Sequence, residues 1–152
     1  MTKLLRSFSS RNLLALGALT IALAPQALKA EGQCSNATMK GTYVTSGTGM
    51  VGSAPAFSPI ASVGLIIYNG DGTGMSVFST KTVGGQNSTS SNVPATFTVN
   101  PDCTGSKTIG ATTFNFVITP DGSKITYIVT NPGVTLMGTG VRSLFLSASG
   151  KD

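Results

Sequence analysis

The chain has 152 residues, no histidine and no tryptophan, and its ten Lys and Arg outnumber five Asp and Glu for a formal net charge of +5. Without histidine there is no His-based zinc centre and no Ser-His or Cys-His catalysis. With so few carboxylates, paired acid/base chemistry has few candidate groups.

The first thirty residues read as a signal peptide. Lys3, Arg6 and Arg11 form a basic n-region ahead of an apolar run from Leu13 to Ala24, Pro25 ends that run, and Ala30 offers a small residue for cleavage. The apolar run is too short for a membrane anchor, which takes roughly 20 residues, and Glu31-Gly32-Gln33 before Cys34 is no lipobox. Lys3, Arg6, Arg11 and Lys29 would leave with the leader, so the remaining chain is nearly neutral. Its bases, Lys40, Lys81, Lys107, Lys124, Arg142 and Lys151, are scattered singly, as on a solvated surface. No nucleic-acid partner is expected from that pattern. Residues 31–152 suffice for one compact domain, secreted or periplasmic, with no membrane span once the leader is gone.

Cys34 and Cys103 both lie in the exported part, where an oxidising compartment can pair them. Neither has a second thiolate or a histidine nearby in sequence, so a structural disulfide is expected rather than a redox or metal site. No metal or cofactor is expected.

Along the domain, Ser, Thr, Gly and Asn alternate with β-branched and aromatic residues and no helical apolar period appears. A first strand starts near Lys40, after a short turn or helical cap at residues 34–38. Residues 47–59, rich in Gly, Ser and Pro, read as a flexible loop. A hairpin follows over residues 60–80, with the apolar run Val63 to Tyr68, a turn over Asn69 to Gly74, and a return strand from Met75. Val63, Leu65 and Ile67 fall on one face of that run and Ile66 and Tyr68 on the other. Both faces are apolar, so a cover for the outer one is expected from the 47–59 loop or a partner subunit. Residues 84–92 read as a polar loop.

Ala95, Phe97 and Val99 share a face of the next strand, and Phe114, Phe116 and Ile118 share one of a later strand, with a short strand around residues 106–109 between them. Pro120-Asp121-Gly122-Ser123 is the strongest hairpin turn, Asp-Gly being favoured in type I′. Ile125, Tyr127 and Val129 align beyond it. A last strand, residues 135–146, contains Gly138 and Gly140, expected at a bend or bulge. About eight strands joined by local turns predict a single antiparallel up-and-down β-barrel, with a two-sheet β-sandwich as the alternative.

The turn at Asn69 to Gly74 has calcium-loop spacing, but its twelfth position is Thr80 instead of Glu, so a structural turn is expected. Asp71, Asp102 and Asp121 all sit in turn motifs, where Asp serves the backbone. Arg142 is in phase with Leu144 and Leu146 and points inward as a ligand anchor, or faces water if the strand is bulged near Gly138; a buried unpaired charge is costly, which favours water. Tyr127, Phe114, Phe116 and Phe97, with Tyr43, Tyr68 and Phe78, line an apolar cavity or fill the core, core filling being the more frequent use of such residues.

The segments Cys34-Ser35-Asn36-Ala37-Thr38-Met39-Lys40-Gly41-Thr42-Tyr43, Tyr68-Asn69-Gly70-Asp71-Gly72-Thr73-Gly74 and Thr96-Phe97-Thr98-Val99-Asn100-Pro101-Asp102-Cys103-Thr104-Gly105 together resemble a group of small exported bacterial proteins of unknown function. These share a Cys-containing Gly-Thr-Tyr start, an Asp-Gly hairpin and an Asp-Cys-Thr-Gly turn. The resemblance implies no functional residue. A looser similarity to calycin and allene-oxide-cyclase barrels rests on strand number alone. The sequence thus leads to an exported, non-enzymatic β-barrel binding a small apolar or amphipathic ligand. The alternatives are a structural or adhesive surface module and an isomerase- or cyclase-type barrel, and a homo-oligomer is compatible with each.

Overall fold

The computed structural model describes residues 34–143. The expected signal peptide with its cleavage after Ala30, and Leu144 and Leu146 of the last expected strand, lie outside the described residues. After a short 3-10 helix, Asn36–Thr38, come β1 (Lys40–Ser53), β2 (Ala56–Asn69), β3 (Thr73–Val83), β4 (Gln86–Ser90), β5 (Val93–Val99), β6 (Thr104–Ile109), β7 (Thr112–Ile118), β8 (Lys124–Val129) and β9 (Val134–Ser143). Each strand of the ring β1-β2-β3-β5-β6-β7-β8-β9 pairs antiparallel with the next, and β9 pairs back onto β1. Eight strands therefore close into a barrel, the expected fold, and the sandwich is excluded. The ninth, β4, runs along the far half of β3 beyond the point where β5 takes over.

Alternation is what makes the barrel. β5 and β8 each point every second residue inward, Ala95, Phe97 and Val99 on one and Ile125, Tyr127 and Val129 on the other, all buried. On β2, Ile66 and Tyr68 face the core while Val63 and Ile67 are exposed on the outer wall. The expected cover for that wall does not come from residues 47–59, because these form the distal half of the β1–β2 hairpin, paired from Gly47 with Ser62 to Ser53 with Ala56. Their side chains, mostly small but with Met50, Val51 and Phe57 among them, follow a regular ladder that the Gly, Ser and Pro content disguises as a loop. Residues 84–92 likewise contain β4, which pairs with β3 outside the closed ring and whose polar residues are all exposed.

One bulge breaks the alternation. Leu65 pairs with Phe78 and Ile66 with Ser76, leaving Val77 as the extra residue of β3. Ser76 faces inward before the bulge, and Ser79, Lys81 and Val83 face the interior after it. Phe78 is thereby turned outward and is 46% exposed, so it neither lines a cavity nor fills the core. β9, by contrast, pairs without a register shift on both sides, so Gly138 and Gly140 mark no bulge. Gly138 faces inward under the Tyr127 ring, and a Cβ there would lie 2.5 Å from ring atoms and 2.3 Å from the Ser46 carbonyl oxygen. The glycine makes room for an aromatic ring.

Three hairpins at one end use the same five-residue turn: Asn69-Gly70-Asp71-Gly72-Thr73, Asn100-Pro101-Asp102-Cys103-Thr104 and Thr119-Pro120-Asp121-Gly122-Ser123. In each, the aspartate Oδ1 accepts from the backbone N–H and the hydroxyl of the residue two positions on. The fourth residue of each takes positive φ: Gly72 at 100°, Cys103 at 66° and Gly122 at 67°. Asp121 does not, so the expected type I′ turn is replaced by this Asp-anchored one, with Gly122 as its left-handed residue; the turn at Asn69 has a second one, Gly70 at 84°. Cys103 stands where its two counterparts have glycine, and it is bonded to Cys34 with S–S 1.98 Å and Cα–Cα 5.0 Å. The bridge staples the 3-10 helix across that end of the barrel.

Candidate functional site

The two ends of the barrel differ. Under the turns, Met39, Tyr43, Tyr68, Ile118 and Ile125 are fully buried. The rings of Tyr43 and Tyr68 meet edge-to-face at 5.5 Å, as do those of Tyr68 and Phe97 at 5.2 Å. Arg142 closes this end. It points inward, in phase with Gly140 and Leu136, rather than into water, and its Nη2 donates to the Thr38 carbonyl oxygen at 2.8 Å and to Tyr43 Oη at 3.3 Å. The regular β9 ladder decides that phase, and bonds at the rim of the barrel remove the cost of burying an unpaired charge. Tyr43 Oη in turn donates to the Gly122 carbonyl oxygen.

The other end is a cup. A space of about 570 Å³ runs inward from a rim that includes Val51, Lys81, Val83, Ser88 and Val134 to a floor at Ile66, Ser76, Lys107 and Tyr127, within the size range of small-molecule sites. Its walls are chemically unequal. Val93, Ile109, Phe114, Val129 and Leu136 form an apolar side, and Thr45, Ser62, Gly64 and Ser79 a hydroxyl-rich one. Gly64 is open for a reason, since a Cβ there would come within 3.1 Å of both Thr45 Oγ1 and the Phe78 carbonyl oxygen. Two grooves of about 730 and 660 Å³ on the outer wall are larger, but neither is lined by a charged group.

Lys107 is the distinctive residue of the floor. Strand β6 places it between Phe97 on β5 and Phe114 on β7, in register with both. It is 3% exposed. Its Nζ lies 4.2 Å from the ring centroid of Tyr127, 5.0 Å from that of Phe114 and 5.8 Å from that of Tyr68. It also donates to Tyr68 Oη at 3.2 Å, across the interior from β6 to β2. Burial pulls the Lys107 ammonium down to about 7, while the ring faces work the other way by favouring the cation. Tyr68 is pushed well up, first by burial and then by the neighbouring phenols of Tyr127 and Tyr43. Tyr127 is also raised by burial, against the hydrogen bond from Thr45.

The acids of the described residues are all elsewhere. Asp71, Asp102 and Asp121 are exposed in the three turns of the closed end. Hydrogen bonds from Thr73 and Thr104 hold the first two below the usual carboxylate range. Those from Thr119 and Ser123 take Asp121 to about 2. None faces the cup, and among the described residues no group of three or more potential ligands could hold a metal. The Asn69 to Gly74 turn is structural in its hydrogen bonding.

Of the aromatic residues expected at a site, Tyr127 and Phe114 line the cup and stack edge-to-face at 5.5 Å. Phe97 and Phe116 are core: Phe97 packs on Tyr68, and Phe116 covers Gly105, where a Cβ would lie 2.4 Å from its ring. Arg142 is at the opposite end. In the sequence Lys107 reads as one of the singly scattered surface bases, yet it is in phase with Ile109 as Arg142 is with its own neighbours, and the structure turns it inward.

These features define a cup-shaped, eight-stranded antiparallel barrel with a lysine at its floor. Compared with protein-family models, curated proteins and solved structures, the chain matches none of them. Among the described residues no helix is long and apolar enough to cross a membrane.

Proposed function

We propose that the protein is an exported, non-enzymatic binder of a small amphipathic ligand, whose apolar body lies against Val93, Ile109, Val129 and Leu136 while a polar or anionic head reaches Lys107. One observation carries this reading: an amine stands at the floor of an apolar cup with no carboxylate to pair it. A buried polar group in that position is relieved by a ligand that supplies the missing partner. The placement of all described carboxylates at the closed end adds to it, because the cup holds two lysines, Lys107 and Lys81, and no acid. No nucleic-acid partner is proposed. The test is native mass spectrometry of the purified protein after incubation with a lipid and terpenoid extract, followed by identification of what is retained. A bound amphiphile lost in Lys107→Met supports the reading, and a protein that stays empty with every fraction sinks it.

A specific feature of the outer wall favours a second reading, a surface module that associates with copies of itself. Phe78, Leu65, Val44 and Val141 are aligned residue by residue across β3, β2, β1 and β9, and Phe78, Val44 and Val141 are each about half exposed. Cross-linking with sedimentation analysis tests it, and a monomer at high concentration removes it.

A further inference from the structure

We propose that Lys107 is a covalent attachment point, capturing a small apolar aldehyde as a Schiff base at the floor of the cup. The proposal deepens the ligand-cup reading and rests on it.

The geometry supplies what imine formation needs. A nucleophilic amine must be uncharged, reachable from one direction and shielded from competing water. Lys107 Nζ is walled by the rings of Tyr127 and Phe114 and opens toward the cup. Its Nζ hydrogen-bonds to the hydroxyl of Tyr68, and no described carboxylate stands inside the barrel to hold the amine as an ion pair. Burial works to the same end, keeping a large neutral fraction at neutral pH.

The reaction balances within the site. The Nζ lone pair attacks the carbonyl carbon, forming the C–N bond, and one Nζ proton passes to the carbonyl oxygen to give a carbinolamine. The Tyr68 hydroxyl can relay it, giving one proton as it takes another, which requires no phenolate. The carbinolamine C–O bond then breaks, the hydroxyl takes the second nitrogen proton, and water leaves through the mouth. The product is an imine plus one water, with no oxidant or reductant. A neutral imine suits a floor lined by Ile66, Phe114 and Tyr127 better than an ammonium does. An aldehyde is favoured over a ketone because only one side of the carbonyl carbon faces open space, and a second carbon substituent would have to pack into the rings.

The test is to incubate the purified protein with decanal near pH 7, reduce with sodium borohydride and map the product by peptide mass spectrometry. One decyl group on Lys107 is expected, exceeding modification of Lys40 and Lys124, which are exposed outside the cup, by about tenfold or more. Lys107→Met should abolish that adduct, and Tyr68→Phe should slow it several-fold without moving it, both variants being checked for folding by thermal unfolding. Binding of decan-1-ol, which cannot form an imine, is measured in parallel. Decanol binding without a Lys107 adduct overturns the covalent proposal and leaves the cup reading standing. An adduct only on exposed lysines also overturns it, and failure of both probes removes both.

Discussion

Replacing Lys107 by methionine should change the sign of its effect on stability between neutral and alkaline pH. An ordinary lysine titrates at 10.5, and burial brings Lys107 to about 7. The lowered value means that the unfolded chain binds more protons between these limits, so stability rises with pH from about 7 to about 10.5 and the penalty is complete below 7. At ~1.4 kcal/mol per unit the full penalty is about 5 kcal/mol, less whatever the three ring faces return as cation–π attraction. At pH 7 the penalty is still about 4 kcal/mol, and by pH 10 it has fallen below about 1 kcal/mol. Methionine removes it and keeps the apolar stem, while leaving Tyr68 Oη without its lysine partner at a cost of about 1–3 kcal/mol. The variant should therefore be more stable than the parent by about 1–3 kcal/mol at pH 7 and less stable at pH 10. Urea unfolding at pH 6, 7, 8.5 and 10, with the difference taken at each pH, cancels the raised phenols of Tyr43, Tyr68 and Tyr127 to first order. A difference that does not move with pH would refute the reasoning, because it would mean that Lys107 keeps its proton in the folded state.

Other expectations follow from the closed end and the walls. Intact protein should show no free thiol at Cys34 or Cys103 without reductant, and Cys34→Ser with Cys103→Ser should cost about 4 kcal/mol in chemical unfolding, the chain-entropy value for a loop of this length. Combining Cys34→Ser with Cys103→Gly should recover about 1 kcal/mol of that, because residue 103 has φ of 66° and glycine adopts it without a Cβ penalty. Gly138→Ala should cost about 2 kcal/mol or more in thermal unfolding, since its Cβ meets the Tyr127 ring and a backbone oxygen at once. Asp71, Asp102 and Asp121 have lowered pKa values, so their contribution is present above the ordinary carboxylate pKa and is lost as pH falls through the folded values. Asn at all three positions should lower stability at pH 7 and flatten the acid limb of the stability profile measured by circular dichroism.

Strand positions and inward faces were legible wherever large apolar and polar residues alternate, as in residues 95–99 and 112–118, because a two-residue period is a local property of the pleat. In residues 47–59 the few large side chains, Met50, Val51 and Phe57, sit among Gly, Ser, Thr, Ala and Pro without a two-residue period, and in residues 86–90 every side chain is polar, so a paired strand looks like a loop. The repeated Asp turn was visible in its residues, but its conformation depended on a positive φ at the fourth position, which glycine permits and Cys103 adopts within the bridge. The candidate site was legible in part: Tyr127 and Phe114 were picked out as aromatic residues in phase, and so were Phe97 and Phe116, which turned out to be core.

An all-β chain, one inward face along each strand with a clear alternation and a pair of cysteines able to bridge are all legible in the residues alone. The same residues require that any chemistry proceed without histidine. Depth within the barrel is a property of its closure. Alternation says whether a side chain enters the barrel, but its level along the axis comes from the stagger between neighbouring strands, which closure imposes on all eight together. That stagger seals Arg142 into one end with Thr38 and Tyr43, sets Lys107 at the floor of the cup beside Tyr68, and gathers the three aspartates at the end away from it.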